Sequence, residues 1–247
     1  MANSYTVLAN LRAGRCSNTA EVRLLRFWDA KNIKGGKLIS LEMLLIDEES
    51  TLVQGTVPAA LSLTFRERLS EGSIYTLSGF DVTRSSPKYR LSDGPIAIRF
   101  NEGTAFEKLP TTTKVLPTEH FRFQPYDHIL ELANTGKQLP DVMGELRAIR
   151  STITDSLPGP PRVMLTLRME GDVNVVVSVF DSLAFAFHSK LDGYGRKPRI
   201  VLVTGINPKI FSGKLYLNGT SATRVFFDCE IAVGKIAFER QDFKLVI

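Results

Sequence analysis

Few side chains in this sequence have the types and spacing that chemistry needs. His120, His128 and His188 stand at separations that make no metal motif, and Cys16 and Cys229 cannot build a four-thiolate site or a disulfide framework. No GxSxG elbow, phosphate-binding Gly loop, HExxH or DxDxDG loop occurs, so no nucleophile can be paired with a base. The acidic run Asp47-Glu48-Glu49 reads as a solvated turn, and Asn218-Gly219-Thr220 as a turn dipeptide rather than a glycosylation site. What remains is basic residues interleaved with aromatics: Arg26-Phe27-Trp28, Lys88-Tyr89-Arg90, and Lys209 and Lys214 around Phe211. Displayed on one face, such a set would hold phosphates with its cations and stack flat rings on its aromatics. That is binding chemistry, and the chain is read as no enzyme.

The elements that must position these residues are mostly strands. The 247 residues are 43% hydrophobic and 23% charged, which suits a folded globular chain rather than a disordered or fibrous one. No apolar run reaches membrane-spanning length and the start has no basic-then-apolar leader, so an intracellular, non-membrane protein is expected. The net charge of +5 divides almost evenly, +2 over residues 1–109 and +3 over the remainder, so neither half is a basic arm.

Aligned with itself at an offset of 122, the sequence places Val53-Gln54-Gly55-Thr56-Val57 on Val175-Val176-Val177-Ser178-Val179, then Leu61 on Leu183 and Phe65 on Phe187. At 126 it places Ile74, Leu77 and Gly79 on Ile200, Val203 and Gly205, and Lys88 and Leu91 on Lys214 and Leu217. A duplication is inferred. In copy one, β-branched and aliphatic runs at 22–28, 38–46, 52–57, 74–82 and 89–100 predict strands, and Leu61, Phe65 and Leu69 share one helix face within 59–69. Copy two repeats the order with strands at 142–149, 163–169, 173–180, 200–206 and 214–217, a helix over 182–191 and a late strand at 224–227. The fold class is therefore all-β with short helices, and strand-strand-strand-helix-strand-strand is the order of an oligonucleotide-binding (OB) five-stranded Greek-key barrel, here two in tandem. Residues 1–109 form the first OB fold and 110–125 a Pro- and Thr-rich linker. Residues 126–247 are the second OB fold with a C-terminal extension, opened by a short helix at 126–133. The apolar end 243–247 suits either a last strand or an interface.

One stretch is more specific. Arg26-Phe27-Trp28 followed by Lys34-Gly35-Gly36-Lys37-Leu38-Ile39-Ser40-Leu41-Glu42 resembles the first central single-strand-binding domain of the replication protein A large subunit. Leu139-Pro140-Asp141-Val142-Met143-Gly144-Glu145, Val177-Ser178-Val179-Phe180-Asp181 and Phe211-Ser212-Gly213-Lys214-Leu215 look like the second domain of that pair. The resemblance runs from about residue 5 to 228 and is nearest to the plant-expanded set of such proteins. It implies that Phe180 and Phe211 are stacking platforms in copy two. In copy one the equivalent places fall on Ile39 and Leu77, which have no aromatic face, leaving Trp28, Phe80 or Tyr89 as substitutes. It also implies basic groove residues at Arg26 and Lys34. Strand and loop placement adds Lys37, Arg84, Lys88 and Arg90, and in copy two Arg168, Lys209 and Lys214 near Phe211, with Arg147 and Arg150 along the first strand.

Read without the resemblance, Phe180 is a core residue, and Trp28 is balanced between core anchor and stacking surface. With it, the expectation is a nuclear binder of single-stranded DNA, RNA being the other candidate ligand, acting in replication, repair or recombination. Other replication-protein-A-like subunits or a second copy are candidate partners, and no cofactor, metal or membrane is called for. The alternative from another class is a protein-interaction or oligomerisation module, betrayed by Ile39 and Leu77 if both lie exposed on the groove face.

Overall fold

The computed structural model describes residues 4–32, 36–154 and 159–240; Lys34 and the apolar end 243–247 lie outside them. The chain divides into two compact units, Met1–His120 and Phe121–Ile247. The first contains β1 (Gly14–Cys16), β2 (Ala20–Lys31), β3 (Leu38–Ile46), β4 (Leu52–Pro58), α1 (Ser62–Arg66), β5 (Ile74–Ser78), β6 (Phe80–Arg84), β7 (Ile96–Arg99) and β8 (Ala105–Leu109). In the second come α2 (Tyr126–Leu132), β9 (Val142–Ser151), β10 (Arg162–Arg168), β11 (Asn174–Phe180), α3 (Asp181–Tyr194), β12 (Ile200–Val203), β13 (Asn207–Phe211), β14 (Lys214–Asn218), β15 (Val225–Phe227) and α4 (Ala232–Glu239).

Each sheet closes on itself through one bent strand. The stretch 74–82, expected as a single strand, is β5 and β6 joined at Gly79, whose φ of 67° belongs to the left-handed region, and a Cβ there would stand 2.4 Å from the Gly103 carbonyl oxygen. Before the bend β5 pairs with β2; after it β6 pairs with β7. Since β2-β3-β4 are antiparallel neighbours and β4 runs parallel to β7, the ring β2-β3-β4-β7-β6/β5 is complete. Unit two does the same at Gly205, φ 60°, with β12 on β9, β13 on β14, and β11 parallel to β14. This is the topology of the OB barrel, twice.

Inside each barrel sit the alternate residues of every strand. Leu24, Leu45, Val53, Leu77, Val82 and Ile98 fill the first; Val163, Leu165, Val177, Val179, Val203 and Leu217 fill the second. The duplicated helix positions Phe65 and Phe187 reach into these cores, Phe65 edge-on to Phe100 and Phe187 edge-on to Phe227. Helix α3 ends where Gly195, φ 73°, takes the left-handed cap with its N–H on the Leu191 and Asp192 carbonyls.

A second expected strand also differs, and the expected linker makes hydrogen bonds of its own. The expected strand 89–100 shortens to Ile96–Arg99, and residues 85–95, which carry Pro87, Gly94 and Pro95, form a loop. The expected linker 110–125 is tied down at both ends. Thr112 and Lys114 donate to Glu21 and Glu48 at 2.8 Å each, and Arg23 donates to the Leu116 carbonyl, all in the first unit, while the Arg122 N–H donates to Asp141 in the second.

Candidate nucleic-acid interface

Residues facing each other across a β ladder share a face, so pairing fixes which side chains meet on the outside of each barrel. In the second barrel the inward residues Val175, Val177 and Val179 leave Asn174, Val176, Ser178 and Phe180 facing out. Phe180 pairs with Arg162, Val176 with Tyr216, Tyr216 with Lys209, and Lys214 with Phe211. One outward face therefore carries Arg162, Phe180, Lys209, Phe211, Lys214 and Tyr216.

The two phenylalanines mark opposite ends of this face. Phe180 ends β11, and the chain turns at once into α3 through Asp181, φ 48°, whose N–H donates to the Pro161 carbonyl at 2.9 Å. Phe211 ends β13 at a two-residue turn, Ser212 and Gly213, with φ of 49° and 74°, the signature of a tight hairpin turn of primed type. That turn leaves Phe211 72% exposed, while Phe180 at the other end is 36% exposed. Carrying the β11–β14 register from Phe180 to Lys214 spans six residues, about 20 Å along the strands. Lys214 is exposed and Lys209 half-buried.

Arg162 is a member that sequence reading missed. It pairs with Phe180 across the ladder, and its Nε is buried without a hydrogen-bond partner; a guanidinium on such a face can meet a phosphate or a ring. The signal was present: counting back across the β10–β11 hairpin from Phe180 lands on it. Arg168 lies on the same face toward the Phe211 end, but its guanidinium is held by Glu145 at 2.6 Å and by Asp172 at 3.2 Å. The hydrogen bond it donates to Glu145 holds its pKa above the usual arginine value. Arg147 also leans on Glu145, at 3.1 Å, and Arg150 is exposed on β9.

The first barrel has the same face but a different surface. After a bulge at Leu25, β2 turns Arg26 and Trp28 outward, opposite Leu44 and Glu42, which in turn face Gln54 and Thr56 on β4. Arg26 and Trp28 are nevertheless only 7% and 8% exposed. The loop 85–95 is tied onto this face: the Leu91 N–H donates to Gln54 Oε1 at 3.2 Å, and Leu91 and Ser92 are fully buried. Within the loop, Ser85 donates to the Gly94 carbonyl at 2.8 Å, and Arg90 spends its guanidinium on the Asp93 and Gly94 carbonyls at 2.7 Å each. Glu42 accepts from Ser40 at 2.7 Å, Thr56 at 2.9 Å and Gln54 at 3.4 Å, and burial raises its pKa against the pull of those donors.

Several expected site residues change meaning here. Arg26 and Trp28 are buried rather than groove-lining, Phe80 is core, and Leu77 is 0% exposed inside the barrel, because β5 alternates and turns Tyr75 and Leu77 inward. By register, the counterparts of Phe180 and Phe211 are Pro58, which pairs with Ser40 as Phe180 does with Arg162, and Ser85, one residue beyond the end of β6. Neither is aromatic. Lys37, Arg84, Lys88 and Tyr89 are exposed, and Tyr89, at φ 55°, sits on the loop. Lys88 and Lys214 are not equivalent: Ile98 occupies the place of Leu217, an offset of 119 where Gly79 and Gly205 stand at 126, so the first barrel holds seven extra residues between these equivalent positions.

A family model described as "Domain of unknown function DUF223" matches residues 15–132. Two Arabidopsis thaliana proteins, replication protein A 70 kDa DNA-binding subunits B and D, are each 24% identical over 188 and 189 residues, 74% of this chain. The chain is similar to the large subunit of replication protein A. It spans about a third of those relatives, 31% and 29% of their lengths. A solved chain from a replication protein A heterotrimer bound to ssDNA superposes with a TM-score of 0.59 at 20% identity, over 94% of this chain and 53% of the other. At that identity the likeness speaks for the fold of both barrels.

Proposed function

We propose that this chain binds single-stranded nucleic acid, DNA foremost, on the outward face of its second barrel, and that it does so without catalysis. The observation that carries this is the pair of exposed rings, Phe180 and Phe211, at the two ends of one face with Arg162, Lys209 and Lys214 between and beside them. Bases stack on the rings while the cations track the phosphates, an arrangement that tolerates sequence because every base has a flat face. The similarity to replication protein A DNA-binding subunits supports DNA as the ligand, other subunits of that kind as partners and the nucleus as the place of action. The rival reading, an apolar partner surface on the first barrel, keeps the exposed Ile39 but loses Leu77 to the core.

The test is a fluorescence-anisotropy titration of labelled dT oligonucleotide, matched RNA and duplex, at low and physiological salt. Tight binding of the DNA single strand that weakens with salt, by a log–log slope of about −0.7 per phosphate contacted, is the expected result. Absence of binding by the folded protein at low salt would overturn the proposal.

A further inference from the structure

The first barrel's outward face already has an occupant. Leu91 is 1% exposed on a loop eleven residues long, and a leucine reaches that burial outside a barrel only when the loop is seated on something. What it is seated on is fixed by its hydrogen bond to Gln54, which is registered opposite Leu44, itself opposite Arg26. Leu44, fully buried, and Trp28 belong to the same outward face, where no barrel interior could account for their burial. Gln54 is held in turn, its amide donating to Glu42, so the chain Leu91, Gln54, Glu42 is a continuous hydrogen-bonded latch across β3 and β4. In the second barrel the corresponding connection is the two-residue turn Ser212-Gly213, too short to reach back over the face.

We propose that loop 85–95 is a built-in ligand of the first barrel: it occupies the face of β3 and β4 and confines nucleic-acid binding to the second barrel. The proposal rests on the reading of the second barrel as the binder only for what the loop excludes; that the loop is seated is a separate matter with its own readout. With Pro58 and Ser85 where stacking rings would stand, Trp28 is the one large ring on this face among the described residues, and it is 8% exposed.

Amide hydrogen exchange on the full chain, with and without a dT oligonucleotide, tests both parts. The Leu91 N–H is expected to exchange slowly in the free protein and to stay unchanged when the oligonucleotide slows exchange in β10, β11, β13 and β14. Fast exchange at Leu91 in the free protein, or its loss of protection together with new protection in β3 and β4 on adding DNA, overturns the proposal. An oligonucleotide that protects neither barrel removes the reading of the second barrel instead, and the plug is then judged on Leu91 alone. A second variant reads the consequence: Leu91→Asn on a Phe180→Ala/Phe211→Ala background is expected to recover about tenfold in dT affinity at low salt, the worth of one stacking ring uncovered. No recovery by a folded variant whose Leu91→Asn loop exchanges freely also overturns it.

Discussion

The two barrels share strand order, the glycine bend and the helix position, yet one shows its outward face and the other covers it. The difference comes from a single connection. Between β13 and β14 the chain turns in two residues and holds Phe211 out; between β6 and β7 it takes eleven and folds Leu91 onto Gln54. A duplicated fold thus fixes where the outward face lies, while loop length decides whether another segment of the chain reaches back onto it.

The largest effect that separates the barrels is expected from Phe180→Ala/Phe211→Ala. At about 1–3 kcal/mol per stacked base, loss of both rings weakens dT binding by roughly 30-fold or more in anisotropy titrations, with thermal stability little changed because both rings are exposed. An unchanged Kd would erase the functional contrast between the barrels. Trp28→Ala in the first barrel is expected to behave in the opposite sense, costing about 3 kcal/mol of stability by denaturant titration while leaving affinity within twofold. A smaller effect follows from Arg162→Ala, which should lower affinity about tenfold at low salt and flatten the salt slope by about 0.7, one phosphate's worth, whereas Lys88→Ala on the covering loop should move neither.

The smallest expected effect concerns pH. Burial raises the Glu42 carboxyl above its ordinary value of 4.5, so in the window just above that value the folded state holds a proton that the unfolded chain has released. The stability from Glu42 is fully present below pH 4.5 and is lost as pH rises through the folded pKa. Thermal melts of Glu42→Gln against the parent should show this component gone, and superimposable pH profiles would show that Glu42 titrates normally in the fold.

Much of the fold was legible in the residues. The alternation of Val175, Val177 and Val179, the four-residue spacing of Leu61 and Phe65, and the matched Gly79 and Gly205 specify strands, helix and bends locally, through side-chain period and backbone freedom. Phe211 beside Ser212-Gly213 was legible for the same reason, since a tight turn leaves its flanking side chains in solvent. Trp28 was not legible. The face it takes depends on the bulge at Leu25, and its burial on packing between strands far apart in the chain, neither of which leaves a mark on the local pattern. Arg162 fell between these cases, because its place beside Phe180 needs the hairpin register as well as the strand.

The sequence alone therefore determined two OB barrels and singled out Phe180, Lys209, Phe211 and Lys214, which pairing brings onto one outward face, because period, turn chemistry and duplication are properties of neighbouring residues. Only the tertiary structure decided that Leu77 points inward, that Arg162 stands opposite Phe180, and that Leu91 closes the first barrel's face. Each of those depends on which strands pair, and in which register, between residues far apart in the chain.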